Sequence, residues 1–148
     1  MQGFITSRLA ALLAGMALTG FSSIALADGP AHAGAVSEVL LKSTTSWDGK
    51  AYAAYPAGQP EMTVLKITIP PKTSLPWHHH PVMNAAYVVS GQLTVEKQEN
   101  GEKKLLGPGQ VLPEMVGSIH RGTSGDEPVV LIVFYAGAQG TPLTIKND

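Results

Sequence analysis

The sequence predicts an all-β, single-domain protein, a β-sandwich or small β-barrel, and three observations carry that expectation. Short apolar or alternating segments recur between Gly and Pro punctuation from residue 37 onward, as strands joined by tight turns require. No stretch of that region holds a 3.6-residue apolar period, so no helix of consequence is expected. The chain has 148 residues and no cysteine. That length suits one core and leaves no room for a second domain, and the core must hold without disulfides.

The first element lies before the β region. A single arginine, Arg8, precedes the uncharged run LAALLAGMALTGFSSIALA, which ends in Ala25-Leu26-Ala27. This is the pattern of a secretory signal peptide cut after Ala27. The run is near the length of a membrane span, but its glycines, serines and small-residue end favour cleavage over an uncleaved anchor. A second small-residue site, Ala31-His32-Ala33, lies just downstream. The expected organisation is a signal peptide at 1–27, a flexible tail at 28–35 containing His32, and a β-domain at 36–148. A periplasmic or secreted protein with no membrane contact after cleavage follows. The absence of a twin arginine argues for export before folding.

The strands are expected in order as follows. SEVLLK (37–42) opens the domain. EMTVLKITI (61–69) places Leu65, Ile67 and Ile69 on one face. AAYVVS (85–90) follows. QLTVEKQ (92–98) alternates Leu93 and Val95 with Gln92, Thr94 and Glu96, as a half-solvated antiparallel strand does. An Asn100-Gly101 turn joins it to KKLL (103–106) as a hairpin, because that pair accepts positive φ. QVL (110–112) comes next, and a strand is expected to lead into His120. VVLIVFY (129–135) is apolar on both faces, so the N-terminal strand or a subunit contact must cover it, and a homodimer is expected. PLTI (142–145) closes the chain. Ten basic and 11 acidic residues give a net charge of −1 and are dispersed along the chain. With no basic stripe, nucleic acid is not an expected partner.

The residues that carry chemistry centre on PWHHHPVMNAAYVVSG, Pro76 to Gly91. Alternate positions on a strand share a face, so His78 and His80 converge while His79 points away. His120 lies in LLGPGQVLPEMVGSIHRGTSGDEP. Two histidines on one strand and a third on another would give a three-imidazole site with open metal positions, or a group of histidines that hydrogen-bond in a barrel mouth. Trp77, Tyr87 and Phe134 serve packing or pocket lining equally well, and Met83 and Met115 either line a pocket mouth or fill gaps. Arg121 should face away from His120 and pair with Asp126 or Glu127.

Residues 70–137 resemble the small single-domain cupins. The first cupin motif is similar to G-x5-H-x-H-x(3,4)-E-x6-G, and this chain supplies His78, His80 and Gly91. The second resembles G-x5-P-x-G-x2-H, matched by Gly107, Pro113, Gly117 and His120. Three departures stand out. Lys72 occupies the opening glycine position, two extra residues separate Pro113 from Gly117, and Asn84 stands where the family's metal-binding glutamate is expected. The resemblance implies a jelly-roll barrel holding one divalent metal (Fe, Mn, Ni, Cu or Zn) through His78, His80, His120 and the Asn84 position.

Asn84 removes a negative charge from that set, and Glu114 is a candidate to restore it. Glu114 is the only acidic residue within either motif and sits in an otherwise uncharged stretch, where an unpaired carboxylate is costly to desolvate. It precedes His120 by six residues, so an unbroken pleat would place both on one face. Glu114 is therefore also the candidate catalytic residue. What the resemblance implies is a metalloenzyme of dioxygenase, isomerase or lyase type acting on a small oxygenated molecule. The alternative is a non-catalytic barrel that binds or senses a small ligand or metal, favoured by the missing carboxylate at Asn84.

Overall fold

A computed structural model describes residues 34–147. The expected signal peptide, 1–27, and residues 28–33 of the expected tail lie outside the described residues. From residue 38 onward the chain forms one compact unit, and its regular structure consists of nine strands: β1 (Pro60–Ile69), β2 (His78–His79), β3 (Met83–Ser90), β4 (Leu93–Lys97), β5 (Lys103–Leu106), β6 (Val111–Pro113), β7 (His120–Ser124), β8 (Val129–Ala138) and β9 (Ile145–Lys146). They make two antiparallel sheets, a four-stranded one in the order β1-β8-β3-β6 and a five-stranded one in the order β5-β4-β7-β2-β9. The all-β, single-domain jelly roll is the observed fold.

Alternation builds the core between the sheets. β8 sends Val129, Leu131, Val133 and Tyr135 inward, where all four are buried, and β1 turns Leu65, Ile67 and Ile69 to the same interior. From the opposite sheet Leu93 and Val95 of β4 and Leu106 of β5 meet them. Removing these side chains from water is the main favourable term for a domain without disulfides.

The hairpin β4–β5 forms as expected, with Glu96 opposite Lys103 and Gly101 at φ 69°. Pro113 ends β6, an edge strand, where its missing N–H interrupts no ladder. Two expectations are overturned. SEVLLK (37–42) forms no strand, and Val39 and Leu40 remain exposed. The strand that β8 needs on that side is β1, paired along its whole length from Ile69↔Val129 to Pro60↔Ala138. In addition, no strand leads into His120: residues 114–119 form a loop with Gly117 at φ 74°, and β7 begins at the histidine. The outward row of β8, Val130, Ile132 and Phe134, is only part-covered, and beside it Met62 and Val64 of β1 are exposed.

Arg121 does face away from the histidines, but its partner is Glu96 on the neighbouring strand rather than Asp126 or Glu127. Its Nη2 lies 2.9 Å from Glu96 Oε2, and its guanidinium lies 4.3 Å from the centroid of the Trp77 ring. The register Glu96↔Arg121 explains the choice, because directly opposite residues share a face. Asp126 instead reaches Lys72 at the surface.

Two turn positions show how the motif glycines work. Gly91, at φ 79°, carries the chain from β3 to β4, and a Cβ there would run into the Pro128 carbonyl and come within 2.9 Å of Val129 Cα. Lys72, in the place of the first motif's glycine, keeps the glycine conformation at φ 51°, the one positive φ of a non-glycine residue among those described. Gly91→Ala should therefore destabilise the domain by at least about 2 kcal/mol. Lys72→Gly, by relieving the left-handed strain, should leave stability unchanged or raise it by up to about 1 kcal/mol. Thermal and urea unfolding of the two variants checks both signs.

Candidate metal centre

Register brings the histidines together. β2 is only two residues long and is held between β7 and β9, with His78 opposite His120 on one side and Lys146 on the other. His80 lies just beyond β2, bridged to Val116, and its carbonyl accepts the Gly117 N–H at 2.9 Å. The three rings form a triangle with centroid separations of 5.1, 4.6 and 5.0 Å. One nitrogen from each ring lies within 4.8 Å of the others.

Hydrogen bonding sets which nitrogen faces the centre. Nδ1 of His78 lies 2.8 Å from the Pro76 carbonyl, Nδ1 of His80 lies 2.8 Å from that of Leu143, and Nδ1 of His120 lies 2.9 Å from that of Ser118. A carbonyl can only accept, so each Nδ1 carries the proton and each Nε2 keeps its lone pair. Burial holds the rings neutral. It lowers the pKa of all three below the ordinary histidine value, most for His80, to about 4.

Glu114 completes the polar end. Its backbone is fixed on several sides: its N–H donates to the Asn84 carbonyl at 3.0 Å, its carbonyl accepts the Tyr52 hydroxyl at 2.7 Å, and the neighbouring Pro113 carbonyl accepts the Trp47 N–H at 2.9 Å. The side chain is buried, with Oε2 3.4 Å from His120 Nε2. Neither atom has a hydrogen-bond partner among the described residues. The pleat expected between Glu114 and His120 is broken by the loop, and the loop itself returns the carboxylate to the histidine. Burial pushes the Glu114 carboxyl up to about 7, against the opposing pull of His78 and of the Met115 N–H.

Asn84 is placed differently. It is buried on β3 with Nδ2 3.3 Å from the Val82 carbonyl, and its Oδ1 is unpartnered. Its side chain is not part of the wall of the central cavity. That cavity, about 230 Å³, lies between the sheets. Ile67, Leu93, Leu131 and Val133 supply its apolar wall, and His78, His80, Glu114 and His120 supply its polar end. His79 turns away to Asn147 Oδ1 at 2.8 Å. Met115 is fully buried and fills core space, whereas Met83 lies on the outer side with Tyr55 and Phe134.

Sequence reasoning passed over three residues. Tyr135 lines the cavity and meets His80 edge-on at a centroid distance of 5.6 Å; its parity with Leu131 and Val133 was a usable signal. Thr144 and Lys146 also line it, but nothing local marks the chain end as part of a site.

Comparison with known proteins agrees with this architecture. Residues 65–135 match the cupin domain family. Over that segment the chain is similar to cupin domains. No functionally curated protein matches the sequence. Among solved structures, DMSP lyase DddQ from Ruegeria pomeroyi DSS-3 is similar at 20% identity and a TM-score of 0.52, covering 67% of this chain and 47% of that one. A cupin-like protein from Thermotoga maritima is 14% identical with a TM-score of 0.50, covering 58% and 64%. Oxalate decarboxylase from Bacillus subtilis is 17% identical with a TM-score of 0.50, covering 57% and 23%. The chain thus spans about half the length of the lyase and less of the decarboxylase. At these identities the likeness is one of fold.

Glu114 and His80 act on metal-free stability with opposite signs. The folded His80 value, about 4 against an ordinary 6.5, means that stability falls as pH drops below 6.5 toward 4. The folded Glu114 value, about 7 against 4.5, means that stability is full below 4.5 and falls as pH rises toward 7. Metal-free Glu114→Gln should therefore match the parent near pH 4.5 and exceed it by on the order of a few kcal/mol above pH 7. Chemical unfolding at the two pH values, with chelator present, measures the difference.

Proposed function

We propose that this cupin holds one divalent metal ion through the Nε2 atoms of His78, His80 and His120, with Glu114 beside them, and acts on a small oxygenated molecule in the barrel cavity. The observation that supports this reading most is the set of three carbonyl bonds to Nδ1, which leaves three lone pairs converging on one point. Histidines kept only for hydrogen bonding would not leave the buried His120 Nε2 unpartnered beside an equally unpartnered carboxylate oxygen. A bound cation offsets the cost of both.

The imidazole-rich donor set suits zinc, copper, iron or nickel. When bound, the ion would supply Lewis acidity at the polar end of the cavity. The chain's own residues would do the rest. The apolar wall excludes water and receives the carbon body of the ligand. Glu114 Oε2, 3.4 Å from His120 Nε2, lies within reach of the same space and can take or give a proton there. Tyr135 limits the cavity on the β8 side. The solved structures with this fold include a lyase and a decarboxylase, and chemistry of that kind fits a cavity of this size. Which bond is broken depends on the ligand.

Elemental analysis of the purified protein tests the reading, with about one equivalent of metal expected. His80→Ala should abolish retention. Glu114→Gln should weaken metal affinity by roughly 10- to 100-fold, and Asn84→Ala should weaken it less. Metal-free protein with an intact fold, or an unchanged affinity in Glu114→Gln, would support the non-catalytic ligand-binding alternative or a neutral three-histidine site.

The signal-peptide pattern of the sequence and the apolar outer sheet face support two further statements about the mature protein. We propose that it starts at Asp28 in a periplasmic or secreted compartment, and that it is a homodimer through the face carrying Met62, Val64, Ile132 and Phe134. A second copy of the same flat apolar face is self-complementary about a two-fold axis, and leaving it in water invites aggregation. Intact mass and light scattering on the exported protein check both. A mass that includes residues 1–27, or a soluble monomer at micromolar concentration, would reject the corresponding statement.

A further inference from the structure

The five-stranded sheet carries a row of four residues at one register level. Lys97 on β4 lies opposite His120 on β7, His120 lies opposite His78 on β2, and His78 lies opposite Lys146 on β9. Directly opposite residues of antiparallel strands project to the same face. Two candidate ligands are therefore flanked on each side by a lysine.

The two lysines are treated differently. Lys97 is neutralised by Asp48, 2.9 Å away and itself almost wholly buried, and by Glu99 at 3.2 Å. Ser46 and the Lys50 N–H add hydrogen bonds to Asp48, and together with Lys97 they outweigh the upward push of burial on its carboxyl. Lys146 makes no ion pair among the described residues and contributes to the cavity wall with Thr144. It is the only lysine or arginine of the described residues in that wall. Much of the remaining wall is hydrocarbon, with Ile67, Leu93, Leu131 and Val133. A cation at the rim, an apolar interior and a volume of about 230 Å³ define a ligand with one anionic end and a short apolar body.

We propose that Lys146 is a recognition residue at the cavity rim, which selects small molecules carrying a carboxylate or similar oxyanion on a short apolar chain. The inference deepens the proposed function by naming a ligand class, and it rests on the cavity rather than on the metal. The neighbouring bonds fix the lysine's place: β9 pairs with β2 over His78↔Lys146 and His79↔Ile145, and the Asn147 N–H donates to the Trp77 carbonyl at 2.9 Å. These contacts hold the backbone of β9, and Lys146 itself is exposed.

The test uses butyrate as the anionic probe and butan-1-ol as its neutral counterpart, titrated into the mature protein by heteronuclear NMR, both as purified and after chelation. Butyrate should bind more tightly than the alcohol. Lys146→Gln should weaken butyrate by roughly fivefold, as expected for a partly solvated charge pair, and leave the alcohol unchanged. Lys146→Arg should restore most of the loss, and Lys104→Gln, on the distant β5, should have no effect. An unchanged butyrate affinity in Lys146→Gln, an equal loss in Lys104→Gln, or no preference for butyrate over the alcohol would overturn the inference. The chelated sample separates it from the metal reading. Lysine-dependent butyrate binding that survives in protein found to be metal-free upholds the rim site and counts against the metal centre. Metal retention without lysine dependence does the reverse.

Discussion

Three backbone carbonyls determine what the centre of this barrel can do. Those of Pro76, Ser118 and Leu143 each accept a hydrogen bond from the Nδ1–H of one histidine, which leaves the Nε2 lone pairs of all three rings turned to one point. Lose any of these bonds and the ring is free to rotate or change tautomer, and three lone pairs no longer coincide. Two of the carbonyls stand two residues before their histidine, so a local turn provides them. The third comes from 63 residues further along the chain, which makes the segment leading into β9 part of the site.

The electrostatics follow from the same burial. Imidazoles taken out of water lose their protons more readily, whereas a carboxyl taken out of water keeps its own. His80 and Glu114 therefore shift in opposite directions, and close to neutral pH the cavity holds neutral rings beside a carboxyl near its midpoint. Three neutral rings with converging lone pairs could hold a cation. The cost of assembling it is carried by the apolar side chains between the sheets, where β8 contributes four buried residues in alternate positions. The loop of residues 44–52 adds to this by clamping the backbone on both sides of the Pro113–Glu114 bond through Trp47 and Tyr52.

Much of this was legible in the chain. Period-two alternation fixed which face of EMTVLKITI and QLTVEKQ turns inward, because strand geometry leaves a side chain only two directions, whereas VVLIVFY is apolar on both faces and gave no such choice. The Asn100-Gly101 hairpin follows from the positive φ that pair accepts, whereas Gly91 was marked only by its place in the motif. The pairing of His78 with His80 follows from parity and needs no tertiary information. SEVLLK misled because its composition suits a strand, but a strand exists only if it finds a partner, and β1 already occupies that edge of β8. Arg121 misled because sequence proximity favoured Asp126, whereas register placed Glu96 directly opposite.

The sequence by itself determined the β class, the inward faces of the alternating strands, the Asn100-Gly101 turn and the identity of the histidines, since each depends on the conformational preferences of a few adjacent residues. Only the tertiary structure decided that Glu114 lies beside His120 while Asn84 turns to the Val82 carbonyl, that Tyr135 and Lys146 line the cavity, and that Leu143 orients His80. Those relations join segments tens of residues apart. They are set by strand register and by a loop whose path cannot be read from periodicity, because a break in the pleat erases the parity on which such reading depends.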